Sequence, residues 1–159
     1  MKRLMLLFCL ISFTFTACRV EYTATDLLAK IMTLPIGRDA VIYFAGADAD
    51  GVGYLSREET HRLYGGEEPS ALSADYALAL GKDDEVFEIH LYHALDAQMA
   101  DEVEEILRER VSLLQKKENE LYLSDSPTVT AVVWRKGNWV ALLATDDNES
   151  VKELLKSIL

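Results

Sequence analysis

The densest run of oxygen-bearing side chains in this sequence is Asp48-Ala49-Asp50-Gly51-Val52-Gly53-Tyr54-Leu55-Ser56-Arg57-Glu58-Glu59. Laid on the twelve-position calcium loop of an EF-hand, Asp48, Asp50, the Tyr54 carbonyl, Ser56 and Glu59 take the first, third, seventh, ninth and twelfth ligand positions, and Gly53 takes the sharp turn. Val52 breaks the pattern, because it stands where a fifth-position oxygen belongs. The segment ahead of the loop carries Gly37, Gly46 and β-branched residues instead of a helical repeat, and no partner loop follows. Two readings therefore stay open. The residues form an under-furnished Ca2+ site, or they form an Asp/Gly turn leading into a helix that Ser56 caps.

A second group is Glu88, His90 and Tyr92. They alternate along a predicted strand and so share one of its faces, which is a geometry that suits general acid/base chemistry. His93 leaves from the other face, so it cannot join His90 on one metal. A half-polar strand face accounts for the same pattern. The chain has no Gly-x-Ser-x-Gly, His-Glu-x-x-His, phosphate-binding glycine loop or Cys-x-x-Cys, so a hydrolase stays a distant alternative and no catalytic residue is assigned. Trp134, Trp139, Tyr92 and Tyr122 are candidates for an aromatic patch facing a sugar or peptide, or for ordinary cross-strand packing.

The third chemical signal is Cys18. Lys2 and Arg3 precede an uncharged stretch from Leu4 to Phe15, and Thr16-Ala17 then leads into the cysteine. A short cationic start followed by about twelve apolar residues is a signal-peptide layout, well under the roughly twenty needed to span a bilayer. Small residues before Cys18 suit cleavage ahead of a lipidated cysteine, as in the bacterial lipobox, although Phe15 departs from the aliphatic residue usual there and leaves ordinary cleavage after Ala17 or Cys18 as the alternative. The expectation is a lipoprotein-type signal peptide over 1–17 and acyl chains, palmitate or similar, on Cys18. Cys9 leaves with the signal, so a lipidated Cys18 leaves no free thiol in an oxidising compartment. Cleavage also removes two cations and no acids, taking the formal charge from −11 to −13. That charge repels nucleic acid and anionic headgroups. The remaining 142 of 159 residues suit one domain, 18–159.

The elements that must position these residues follow from periodicity. Leu27, Leu28, Ile31 and Met32 fall at helical spacing after Thr25 and Asp26, and Ala40 to Phe44 reads as extended. Ser56 and Glu59 form a capping box for a helix over 57–64, which Gly65-Gly66 closes. From Tyr76 onward the chain reads as two ββα units: strands 76–80 and 86–92 with a helix over 97–117, then strands 129–134 and 139–145 with a helix over 149–158. The first helix carries Met99, Val103, Ile106, Leu107, Arg110 and Leu114 along one side, and the second Val151, Leu154, Leu155 and Ile158. The acids Asp101, Glu102, Glu104, Glu105 and Glu109 read as the wet face of the longer helix. The expected fold is α+β, a four-stranded antiparallel sheet with its helices packed on one face.

Two segments, Tyr54-Leu55-Ser56 through Leu63-Tyr64-Gly65 with the Tyr76 strand, and the closing Gly137-Asn138-Trp139-Val140-Ala141-Leu142-Leu143, resemble a clostridial-type family of bacterial lipoproteins whose domain has no assigned function. The resemblance covers about residues 50–159. It implies lipidation and an α+β plan, and it names no activity. The functional expectation is a membrane-anchored extracytoplasmic lipoprotein that binds or scaffolds an unidentified envelope partner, without an assigned enzymatic role. A weak calcium-responsive module using the 48–59 loop is the alternative.

Overall fold

The structure, a computed structural model, describes residues 21–36, 39–49, 51–82, 87–121 and 130–159, with side chains omitted for 117–121. Residues 1–17, where a signal peptide is expected, and Cys18, Asp50 and Tyr122 lie outside the described residues. No helix among the described residues is long and apolar enough to cross a membrane.

Helix α1 (Ala24–Ile31) begins at Thr23, whose hydroxyl accepts from the Asp26 amide at 3.0 Å while the Asp26 carboxylate accepts from the Thr23 amide at 3.1 Å. This reciprocal box sets the start two residues ahead of the expected cap at Thr25, because Asp26 acts from the third helical position. Strand β1 (Ala40–Phe44) and helix α2 (Arg57–Tyr64) follow, then a 3₁₀ turn at Pro69–Leu72, β2 (Ser73–Gly81), β3 (Glu88–Ala94), α3 (Ala97–Leu121), β4 (Val132–Lys136), β5 (Trp139–Ala144) and α4 (Asn148–Ile158). The class is α+β, as the sequence implies.

Two features of the expected fold are corrected. The sheet has five antiparallel strands in the order β1-β2-β3-β5-β4, because β1 pairs with β2 from Ala40↔Gly81 to Phe44↔Ala77. The helices also lie on both faces. Leu78, Tyr92, Val140 and Leu142 point to a layer made by α2 and α3 through Leu63, Tyr64, Val103 and Leu107. Ala77, Ala79, Ile89, Leu91, Ala141 and Leu143 point to a second layer made by α1 and α4 through Leu27, Leu28, Ile31, Val151 and Leu155. In the three central strands residues 77–80, 88–92 and 140–144 are buried from both sides, so either face left bare would expose a wide, largely apolar surface.

The two ββα units exist, and β3 and β5 are neighbouring antiparallel strands with β2 and β4 outside them. Turning one hairpin onto the other about the sheet normal superposes their strands and leaves α3 and α4 on opposite faces. The units therefore have opposite hand, and no simple two-fold relates them.

Candidate functional site

The alternation along β3 places Glu88, His90 and Tyr92 on the face covered by α2 and α3, as the sequence predicts, and all three are buried. Sequence reasoning did not find the groups that meet them. Tyr64, the last residue of α2, sets its hydroxyl 2.6 Å from His90 Nδ1 and 2.8 Å from the Tyr92 hydroxyl. Arg110 of α3 donates from Nε to Glu88 Oε2 at 3.0 Å and from Nη2 to Glu88 Oε1, and its Nη1 reaches the Leu63 carbonyl at 3.4 Å. The planar guanidinium thus grips the carboxylate with two donors while holding the C-terminal end of α2.

Counting protons assigns the imidazole. Each phenol has one hydrogen. If Tyr92 donates to Tyr64 and Tyr64 donates to Nδ1, both hydroxyl hydrogens are used and the ring proton sits on Nε2. An imidazolium would donate from Nδ1 to Tyr64, turn the Tyr64 hydrogen toward Tyr92, and leave the Tyr92 hydrogen without an acceptor among the described residues. The neutral Nε2–H form is the one that satisfies the chain. Nε2 lies 3.1 Å from Glu88 Oε2, yet the carboxylate sits off the N–H axis, so this is a charge–dipole contact and the buried Nε2 has no aligned hydrogen-bond partner.

Burial pushes the Glu88 carboxyl upward, but the His90 imidazole beside it and the two-donor grip of Arg110 outweigh this and hold Glu88 at about 2, so the carboxylate is ionised. With a neutral imidazole, Arg110 supplies the compensating charge. Burial raises both Tyr64 and Tyr92, keeping the phenols protonated. The row has the residue types of an acid/base site, but His90 is wholly buried and Glu88 and Arg110 show only 11% and 13% of their side chains. In this conformation it ties α2 and α3 to the sheet.

The other expected sites resolve differently. Ser56 caps α2, its hydroxyl accepting from the Glu59 amide at 3.1 Å. Glu59 does not reach back to close the box, and its carboxylate accepts from Arg62 at 2.6 and 3.0 Å. Asp48 is exposed in a loop whose turn is set by Gly51 and Tyr54 amides donating to the Asp48 and Gly51 carbonyls, at 2.8 and 3.2 Å. Gly53 is required there: its φ is +87°, and a Cβ would fall 2.3 Å from the Phe44 ring. Strand β1 stands where an EF-hand has its first helix. Among the described residues, no group of three or more His, Cys, Asp or Glu side chains is placed to hold a metal.

The aromatic residues do not form one patch. Tyr92 is buried under α2 and α3, whereas Trp134 and Trp139 pack on the opposite face, where Trp139 stacks on His93 with ring centroids 4.4 Å apart and planes 5° apart. The acidic face of α3 is solvated as expected, with Asp101, Glu102, Glu105 and Glu109 exposed and Glu104 half-buried. Arg135 of β4 binds Asp101 and reaches Glu104 at 3.1 Å, tying the start of α3 to the second hairpin, and Arg108 donates to Glu104 at 3.2 Å as its spacing predicts. A surface cleft of about 510 Å³ runs along α2, lined by Arg57, Glu58, Thr60, His61, Gly66 and Glu68. No family model matches the chain, and no characterised protein or solved structure matches it either.

Proposed function

We propose that the protein is an extracytoplasmic lipoprotein, anchored to the cell membrane through lipid on Cys18, whose domain binds or scaffolds an envelope partner instead of turning over a substrate. The carrying observation is how soon the fold begins after the anchor. The Ala24 amide donates to Asp75 Oδ2 at 2.6 Å, pinning α1 to β2 only six residues beyond Cys18. Six residues reach at most about 20 Å, so the domain rides close to the membrane surface. An acidic domain at that distance is held off anionic headgroups and presents itself to partners. The likeness of residues 50–159 to clostridial-type lipoproteins supports the same reading.

The test is detergent partitioning of wild type and Cys18→Ala. One acyl chain binds membranes only marginally, so stable retention of wild type in the detergent phase reflects more than one. The variant should move to the aqueous phase. Equal partitioning of the two ends the lipoprotein reading.

A further inference from the structure

We propose that α2 is a hinged lid: its Tyr64 side chain plugs the Glu88–His90–Tyr92 row, and the helix swings off while the five-stranded sheet stays paired. This goes beyond the anchoring proposal and does not rest on it.

Four observations carry the inference. First, α2 is weakly rooted, since only Thr60, Leu63 and Tyr64 of its eight residues are buried. Second, much of its seam with the body is polar: Tyr64 to His90 and Tyr92, and Arg110 to the Leu63 carbonyl. Such bonds can be exchanged for water at little net cost, unlike a packed apolar face. Third, glycines with positive φ flank it, Gly53 before and Gly65 and Gly66 after, at +87°, +67° and +113°. A Cβ on Gly65 would meet nothing within 4 Å and one on Gly66 only His61 Nδ1 at that limit, so the C-terminal hinge is uncrowded. The cleft of about 510 Å³ lies alongside, bounded by α2 and by Gly66 and Glu68, and gives the helix room. Fourth, the row beneath contains a buried polar atom, His90 Nε2, that the closed state leaves without an aligned partner. Eight-residue segments with few apolar contacts belong to the low-stability end of a native structure. Helix α3 stays in place during the motion, because it is packed against β3, β4 and β5. Opening withdraws a phenol from between His90 Nδ1 and the Tyr92 hydroxyl, baring a phenol-sized notch on the sheet.

The three histidines provide the test, because they occupy three environments. His61 is exposed on α2, His93 is half-buried on the far face, and His90 lies under Tyr64. The intact protein is treated with diethyl pyrocarbonate and carbethoxylation is read at each histidine by mass spectrometry, alongside backbone amide exchange. A lid predicts a protection factor for His90 at least tenfold smaller than that of the most protected β3 and β5 amides. Tyr64→Phe keeps the ring, removes both hydroxyl contacts, and should lower His90 protection by about a further tenfold. Equal protection of His90 and the ladder amides in wild type overturns the proposal, since His90 is then reached only by global unfolding. Rapid His90 labelling that Tyr64→Phe leaves unchanged overturns it as well, since the opening then does not involve α2.

Discussion

Replacing Arg110 with Met removes the cation from Glu88 and preserves most of the apolar stem that packs on the sheet. Glu88 is held at about 2 against a reference of 4.5. A depressed carboxylate stabilises the fold above its unfolded value, and that stability is lost as pH falls through the folded value. Two and a half units correspond to about 3 kcal/mol at pH 7, and because His90 and Arg110 share the lowering this is the upper bound on what Arg110 contributes through charge. At pH 3 the unfolded carboxyl is already protonated and the folded one is still ionised by one unit, so the wild-type advantage falls to about 1 kcal/mol. Urea denaturation of wild type and Arg110→Met at pH 7 and pH 3 should therefore show a gap of about 1–3 kcal/mol at pH 7 that shrinks at pH 3. Adding Glu88→Met to Arg110→Met should recover half or more of the loss at pH 7, because no uncompensated charge then remains buried. A single-variant loss under 1 kcal/mol at pH 7, or one equal at both pH values, refutes the argument: Arg110 would then act through packing alone.

The two core layers give a second prediction. Leu107→Ala beneath α3 and Leu155→Ala beneath α4 should each cost about 2–5 kcal/mol, and the double variant should show the sum because the sheet separates the sites. An unchanged denaturation midpoint for either one would remove its helix from the core. For the 48–59 loop, with Ser56 used by the helix cap and Glu59 by Arg62, millimolar calcium should leave the thermal midpoint unchanged; a rise following RT ln(1 + [L]/Kd), with Kd of about 10⁻⁴ to 10⁻³ M, that Asp48→Ala abolishes would establish a calcium site. No shift in wild type at tenfold excess over that range makes the segment a turn and helix cap alone.

Local pattern made most elements legible: the amphipathic repeats of α3 and α4, the Ser56 cap, the glycine stop after Tyr64 and the hairpin about Gly137-Asn138. The arrangement of the layers was less so. Residues 77–80 and 140–144 do not alternate apolar with polar, and such runs mark strands covered on both faces, whereas 88–92 alternates and reads as half-buried. Weighing that signal would have placed helices on both sides. The role of β1 depends on pairing with residues some forty positions away, which no short window encodes. The same holds for the buried row. Glu88, His90 and Tyr92 are visible together, but Tyr64 and Arg110 join them only through the tertiary fold. The clue was Arg110 itself, a cation on the apolar stripe of a long helix, which needs a buried counter-charge.

The centre of the sheet also has a consequence for how the chain reaches this state. Strands β3 and β5 pair from Glu88↔Ala144 to His93↔Trp139, joining residues roughly fifty apart with a whole helix between them. Contacts of that sequence separation require a large loop to close before they contribute, which pushes folding toward the millisecond-to-second range typical of non-local topologies. Until β5 is available, β3 has a partner only on its β2 side. For a chain exported as proposed above, that delay is useful: the centre of the sheet cannot close before β5 pairs with β3, so the polypeptide stays threadable until that contact forms.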